Sequence, residues 1–204
     1  MTDVNSNPDA GQEPSRRDFI YIAAIGATAV GGAFTLWPFI DQMNPAADTL
    51  AESTTELNIG QMDDGMEMTV LFRSQPHFVR RRAPSEVEAA RNVDVNSLPD
   101  RLARNVNIGD GEPATDENRS TLTAALGDGV SVDDALRASL LVTSASCTHL
   151  GCVPTSEAGD YGAWFCPCHG SHYDSAGRIR RGPAPENLPI PPMTFISATM
   201  LRLG

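Results

Sequence analysis

The chain has 204 residues, of which 41% are hydrophobic, with a formal net charge of -11 and a pI near 4.6. This length suffices for one membrane anchor and one globular domain, but not for two large cores. An acidic chain lacks the basic face that phosphate neutralisation requires, so the composition argues against a nucleic-acid partner.

An apolar segment near the N-terminus predicts one transmembrane helix. No charged residue occurs from Phe19 to Ile40, a run of 22 residues. At about 1.5 Å per residue the run spans roughly 33 Å, enough for a hydrocarbon core of about 30 Å and longer than a signal peptide's roughly 7–15 apolar residues. No small-residue cleavage site of the A-x-A kind follows it, so we expect residues 19–40 to be retained as the anchor.

Two arginines directly precede this segment and bear on its orientation. Arg16 and Arg17 should keep residues 1–18 in the cytoplasm by the positive-inside rule, which places the C-terminal domain in the periplasm of a bacterial inner membrane. With Asp18 and Phe19 they resemble a twin-arginine export signal, the route for domains that fold around a cofactor before export. The alternative is an ordinary anchor whose arginines only set topology.

The residues after the anchor suggest a tether, followed by a domain of short strands. Residues 41–56 are small and polar without visible periodicity, so we expect a flexible tether before a globular domain at 57–204. A capping box of Ser85 and Glu88 predicts a short helix. Residues 92–138 hold nine acidic side chains against four arginines, which favours a solvated surface insertion, with one or two helical turns at 130–136. The predicted strands are 66–72 and 77–82, joined by a turn around 74–76, then 140–143 and a closing strand at 194–203.

The residues with distinctive chemistry are concentrated in two motifs. Cys-Thr-His-Leu-Gly-Cys occupies 147–152 and Cys-Pro-Cys-His-Gly-Ser-His-Tyr occupies 166–173, and these motifs contain all four cysteines. Two such hairpins can bring two thiolates and two imidazoles to one inorganic centre, which suits zinc or an iron–sulfur cluster. A structural zinc site is the alternative, although its usual spacings differ and it leaves Cys152 and Cys168 without a role.

Both motifs resemble those of the Rieske iron–sulfur proteins, in particular the iron–sulfur subunit of cytochrome bc complexes. The similarity extends to Gly-Ser-His-Tyr-Asp at 170–174 and Gly-Arg-Ile-Arg-Arg-Gly-Pro-Ala-Pro at 177–185. It implies a mainly β fold: a Rieske-type antiparallel β sandwich with a small cluster-binding subdomain at about 140–186, preceded by the transmembrane helix.

The resemblance also implies the cofactor and its ligands. One 2Fe–2S cluster would have one iron bound by Cys147 and Cys166 and the other by His149 and His169. It further implies a disulfide between Cys152 and Cys168, hydrogen bonds from Ser171 to a bridging sulfide and from Tyr173 to the Cys147 sulfur, and a proline-rich loop at 182–185 over the cluster.

The function implied by the resemblance is that of a subunit of a proton-translocating quinol:cytochrome c reductase, respiratory or photosynthetic. His169, with His149 beside it, would be the catalytic residue that takes a proton from ubiquinol while the cluster takes one electron. The domain would then swing on its tether to a c-type cytochrome, and cytochrome b would be the other partner in a dimeric complex. The alternatives are the exported small subunit of another oxidoreductase, such as an arsenite oxidase, and a Rieske ferredoxin or oxygenase component.

Overall fold

The structure is a computed structural model that describes residues 15–44 and 53–204. The chain divides into two compact units, Met1–Ala47 and Asp48–Gly204. Residues 45–52, half of the predicted tether, are not among the described residues. At its two ends the prediction was too long, because Asp41 still belongs to the N-terminal helix and Thr55 and Glu56 already belong to the first strand.

The first unit contains one long apolar helix, α1, which spans Arg16–Asp41. Its first turn is capped reciprocally: the Ser15 hydroxyl accepts from the Asp18 amide at 3.3 Å, and the Asp18 carboxylate accepts from the Ser15 amide at 2.8 Å. Thr28 and Thr35 donate to carbonyls one turn earlier, Ala24 and Gly31, at 2.8 Å each. The helix therefore satisfies its cap and these two threonine hydroxyls internally, and it is long and apolar enough to cross a membrane, as predicted.

The second unit is built mainly of β-strands, which confirms the predicted fold class. Its helices are short, because the chain supplies few long runs with helical periodicity. They are α2 (Pro84–Arg91), α3 (Asp116–Arg119) and α4 (Asp134–Ser139), with 3₁₀ turns at Val95–Ser97 and Thr121–Thr123. The strands are β1 (Thr55–Asn58), β2 (Glu67–Phe72), β3 (Gln75–Arg81), β4 (Ala125–Leu126), β5 (Leu140–Ser144), β6 (Thr155–Ala158), β7 (Ala163–Cys166), β8 (Ser171–Tyr173), β9 (Ile179–Arg181), β10 (Met193–Ser197) and β11 (Met200–Leu203).

Three sheets make up this unit. One has the order β1-β11-β10-β4, a second β2-β3-β5 and a third β6-β7-β8-β9. Among the described residues, every strand pair is antiparallel except β10 with β4, which is parallel. The sandwich is therefore antiparallel as predicted, apart from this one pair. Inward side chains of all three sheets share one buried core that includes Leu57, Val79, Trp164 and Phe195.

The predicted hairpin forms between β2 and β3, with its turn slightly earlier than expected. Phe72 pairs with Gln75, and the two turn residues, Arg73 and Ser74, have φ of 51° and 58°. Such a turn matches the right-handed twist of the strands it joins. Sequence reasoning placed the turn at 74–76 because proline marks turns, and non-glycine residues rarely adopt positive φ.

Two further local predictions were wrong. The segment 194–203 is a hairpin of two strands, β10 and β11, rather than one closing strand. The helix after Pro84 is capped two residues earlier than the predicted Ser85 capping box: Ala83 is the N-cap, and the Glu86 carboxylate accepts from its amide at 2.8 Å. Proline at the first helical position requires no amide partner, which explains the earlier start.

The acidic segment 92–138 is not the solvated insertion that its composition suggested. Asp94 and Asp110 are exposed, but Asp116 is 2% exposed and Arg119 is fully buried. Burial of these charges is possible because partners distant in sequence compensate them; Asp116, for example, pairs with the buried Arg82. The predicted helical turns of 130–136 occur slightly later, as α4.

Candidate metal centre

Three loops converge at one end of the sheet β6-β7-β8-β9. The first ligand loop, residues 146–153, follows β5; the second, residues 166–170, joins β7 to β8. The proline loop, residues 182–190, follows β9. In the second ligand loop, Cys166 pairs in register with Ser171, so the four residues between them form the hairpin tip. The Gly170 amide donates to the Cys166 carbonyl at 3.0 Å and closes that turn.

The first ligand loop folds back on itself so that its two cysteines are adjacent in the backbone. The Cys147 amide donates to the Cys152 carbonyl and the Gly151 amide to the Cys147 carbonyl, both at 2.8 Å. Gly151 has a φ of +79°, a conformation that an L side chain would strain. A disulfide between Cys152 and Cys168 then ties this loop to the second one, as the family resemblance implied.

The remaining two cysteines are thiols directed into the interior. Cys147 and Cys166 are each 2% exposed and take part in no disulfide. The Sγ atoms of Cys152, Cys166 and Cys168 also lie within 4.8 Å of one another. Two of those three sulfurs are joined in the disulfide, so this group cannot act as a three-thiolate metal site.

The two predicted histidine ligands face each other at the tip. The ring centroids of His149 and His169 lie 4.6 Å apart, with an interplanar angle of 84°. His149 Nδ1 is buried and has no hydrogen-bond partner among the described residues, whereas His169 is exposed. A buried ring nitrogen without a partner is costly unless it binds something, so this atom fits a ligand to a metal.

Tyr173 stabilises a thiolate at Cys147. Its hydroxyl oxygen accepts from the Thr148 amide at 3.4 Å, and two acceptors lie near its proton: Cys147 Sγ at 3.2 Å and the Thr148 hydroxyl at 3.5 Å. The sulfur is the nearer of the two. Burial alone would raise the pKa of the Cys147 thiol, but hydrogen bonds from Tyr173, the His149 backbone, Cys166 and Ser171 bring the pKa below its usual value. Burial and proximity to this thiolate raise the pKa of Tyr173, so the hydroxyl keeps its proton.

The two thiols differ in their electrostatic environment. Burial raises the pKa of Cys166, and a neighbouring thiolate at Cys147 raises it further despite bonds from the Cys168 and His169 backbone. Two thiolates this close repel each other unless a cation lies between them. The pair therefore fits a site that supplies positive charge, such as iron.

The proline loop packs tightly against the second ligand loop. A Cβ on Gly182 would lie 2.5 Å from both the Gly170 oxygen and the Ser171 Cα, so only glycine fits there. The Ala184 amide donates to the Ser171 hydroxyl at 3.2 Å. Ser171 is fully buried and lies between the proline loop and the thiols, where its hydroxyl can donate toward sulfur.

Thr148 is a site residue that the sequence analysis did not single out. Its hydroxyl donates to the Glu186 carbonyl at 2.7 Å and so joins the first ligand loop to the proline loop. The only signal in the sequence was a hydroxyl residue between two candidate ligands, and its partner lies 38 positions away.

Comparison with known proteins supports the interpretation of these motifs. Residues 112–192 match the Rieske [2Fe-2S] domain, and residues 6–46 match the TAT signal of the ubiquinol–cytochrome c reductase Fe-S subunit. Three ubiquinol–cytochrome c reductase iron-sulfur subunits are similar over nearly their whole length. That of Cereibacter sphaeroides is 47% identical over 98% of this chain and 99% of its own. That of Rhodospirillum rubrum is 45% identical over 95% and 94%, and that of Rhodobacter capsulatus 47% over 93% and 95%.

The chain belongs to the family of Rieske iron–sulfur subunits of ubiquinol–cytochrome c reductase. The predicted family, the 2Fe–2S cofactor and the twin-arginine signal are thereby confirmed. The relatives also favour the cytochrome bc subunit over the arsenite oxidase alternative. Together with the apolar helix α1, membership supports a Rieske subunit anchored in a membrane.

Proposed function

We propose that Cys147 and Cys166 bind one iron of the Rieske cluster and that His149 and His169 bind the other. The main support for this proposal is that two buried thiols and two imidazoles that face each other lie in two loops joined by a disulfide. The unpartnered Nδ1 of His149 is its ligand atom, and we assign the same atom to His169. When bound, the cluster supplies one-electron chemistry at a potential raised by its two neutral imidazole ligands.

The surrounding residues prepare this site for an anionic centre. Tyr173 donates toward Cys147 from a fully buried position, and Ser171 presents a second buried hydroxyl. Hydrogen bonds to sulfur stabilise the more negative state of a centre and favour reduction. The proline loop and the buried strands behind it exclude water, which strengthens these bonds.

His169 is the proposed contact with ubiquinol and, with His149, forms the catalytic pair. If Nδ1 of His169 held the iron, its Nε2 would be the ring nitrogen left to accept the quinol hydrogen bond and then the proton. His169 lies exposed at the tip, beside a rim of apolar side chains. Leu150 is 72% exposed and Val153 54%, a surface suited to an apolar quinol or to the apolar wall of its site.

The placement in the membrane follows from the N-terminus. Arg16 and Arg17 stand at the start of α1, so we place residues 1–18 in the cytoplasm, 19–40 in the membrane and 57–204 in the periplasm. Residues 42–54, between the end of α1 and the start of β1, would form the tether, and about 140–186 the cluster-binding subdomain. The proposed partners are cytochrome b and a c-type cytochrome in a dimeric complex, with the domain moving between the quinol site and the cytochrome.

Reconstitution tests this function. Added to a cytochrome bc complex depleted of its own iron–sulfur subunit, the cluster-loaded chain should restore electron transfer from ubiquinol to cytochrome c. Arg202→Gln, which removes only a surface ion pair with Glu56 at 3.4 Å, should restore it equally. A chain that assembles with its cluster intact but reduces no cytochrome c from ubiquinol would refute the quinol function.

A further inference from the structure

Part of the acidic segment that the sequence analysis assigned to the solvent contacts the proline loop. We call residues 100–119 the support segment. Its contacts with the proline loop involve side chains and backbone groups, most of them buried.

Asn187, in the proline loop, is fully buried, and its side-chain amide forms hydrogen bonds with three backbone groups. Its Nδ2 donates to the carbonyls of Asp100 at 3.0 Å and Leu102 at 2.7 Å. Its Oδ1 accepts from the Ile179 backbone amide of β9 at 2.8 Å. The backbone amide of Asn187 donates to Asp100 Oδ2 at 2.9 Å. This one side chain therefore fixes the proline loop to both the support segment and the small sheet.

Arg119 makes a second connection from the end of α3. Its buried guanidinium forms no hydrogen bond with a carboxylate of the described residues and instead donates to backbone carbonyls. The acceptors are Ala176 at 2.5 Å, Gly177 at 3.2 Å, Leu188 at 2.7 Å and, within the support segment, Ala103. A guanidinium that satisfies carbonyls in three stretches of chain fixes their relative positions.

Arg104 extends this network to the ligand loops. It pairs with Asp100 at 2.9 Å and with the Glu186 carboxylate at 3.2 Å. The carbonyl of Glu186 in turn accepts from Thr148, which lies between Cys147 and His149. A short chain of contacts thus leads from the support segment through the proline loop to the first ligand loop.

We propose that the support segment positions the proline loop over the metal centre, with Asp100, Arg104 and Arg119 as positioning residues. Through Glu186 and Thr148 it also holds the first ligand loop in the conformation in which Tyr173 reaches Cys147. The effect on the cluster rests on the ligand set proposed above, whereas the ordering of the loop does not.

Amide hydrogen exchange of the full-length, cluster-loaded protein tests this directly. Asn187→Asp preserves the shape of the side chain but places carboxylate oxygen against the carbonyls of Asp100 and Leu102. Arg104→Gln removes both ion pairs at a side chain that is one-third exposed. We expect amides of 182–190 to exchange at least about tenfold faster in either variant, and loss of iron to a chelator to quicken about tenfold.

Two control variants, together with a check that each variant folds, decide how the exchange rates are interpreted. Arg202→Gln should leave both rates within about twofold of the wild type, because it breaks only an exposed pair. Arg104→Lys, which keeps the charge, should recover part of the protection. If Asn187→Asp fails to fold, Arg104→Gln decides alone. A folded Arg104→Gln protein with unchanged exchange in 182–190 would overturn the proposal, while absence of iron from the wild type would refute only the ligand set.

Discussion

At the scale of single residues, the Tyr173 hydroxyl is the most specific electrostatic feature of the centre. The Thr148 amide donates to its oxygen, and Cys147 Sγ at 3.2 Å is a nearer acceptor for its proton than the Thr148 hydroxyl at 3.5 Å. A donor to sulfur favours the reduced, more negative state over the oxidised one. The contribution of this hydroxyl to the midpoint potential can therefore be tested separately from packing.

Tyr173→Phe should lower the midpoint potential without loss of the cluster. A charge-assisted hydrogen bond contributes about 1.5–3 kcal/mol in total, of which a difference of about 1 kcal/mol between oxidation states corresponds to roughly 40 mV for one electron. A redox titration followed by visible circular dichroism measures the shift. Tyr161→Phe is the matched control, since that ring packs against Arg180 at 4.6 Å on the hairpin after β6. Equal potentials in both variants would mean that Tyr173 only packs.

At the scale of elements, the close approach of the proline loop to the second ligand loop depends on Gly182. This residue has a φ of +112°, and an added Cβ would meet the backbone of Gly170 and Ser171. Backbone cannot move aside as a flexible side chain can. The loop would have to lift away, and the bond from the Ala184 amide to Ser171 would break.

Gly182→Ala should therefore destabilise the domain by roughly 3 kcal/mol and accelerate cluster loss. Gly162→Ala is the matched control: its φ is +65°, but none of the described atoms lies within 4 Å of the added Cβ. That substitution should cost only about 1 kcal/mol, from backbone strain alone. Urea unfolding followed by fluorescence gives both values. Equal losses in the two variants would show that the contact between loops has no energetic importance.

Some elements of the fold could be predicted from the sequence and others could not. Strands β2, β3 and β5 were found because apolar and β-branched residues bounded by turn residues produce a local signal. The two motifs were found because ligand chemistry fixes residue types at short spacing. The role of 92–138 was missed because Arg119 and Asp100 are stabilised by carbonyls and amides more than 50 residues away, which composition cannot reveal. Thr148 was missed because its partner, the Glu186 carbonyl, lies 38 positions away in the sequence.

At the scale of the whole molecule, substitution of the twin arginines can distinguish their role in export from their role in setting membrane topology. Changing both Arg16 and Arg17 to lysine keeps the positive charge that orients α1 but removes the guanidinium pair of the export signal. The protein should then accumulate in the cytoplasm with its domain folded, whereas Arg202→Lys should be exported normally. Protease accessibility in spheroplasts measures the difference. Normal export of the double lysine variant would mean that the arginines act only through their charge.

The tether is the other feature that belongs to the whole molecule. Ala46 and Ala47 belong to the predicted tether and lie outside the described residues. Replacing both with proline fixes φ and restricts the preceding residues, so turnover from ubiquinol to cytochrome c should fall severalfold while the potential stays constant. Replacing both with serine, which keeps the backbone free, should preserve turnover. Full turnover with two prolines would argue against a moving domain.

The central claim is that two thiolates and two imidazoles hold one 2Fe–2S cluster, and its most direct test is the inorganic content of the purified chain. We predict two irons and two acid-labile sulfides per chain, with both lost in His169→Ala and retained in Arg202→Gln. Stoichiometric zinc without sulfide in the wild-type protein, or full iron and sulfide in His169→Ala, would contradict this account.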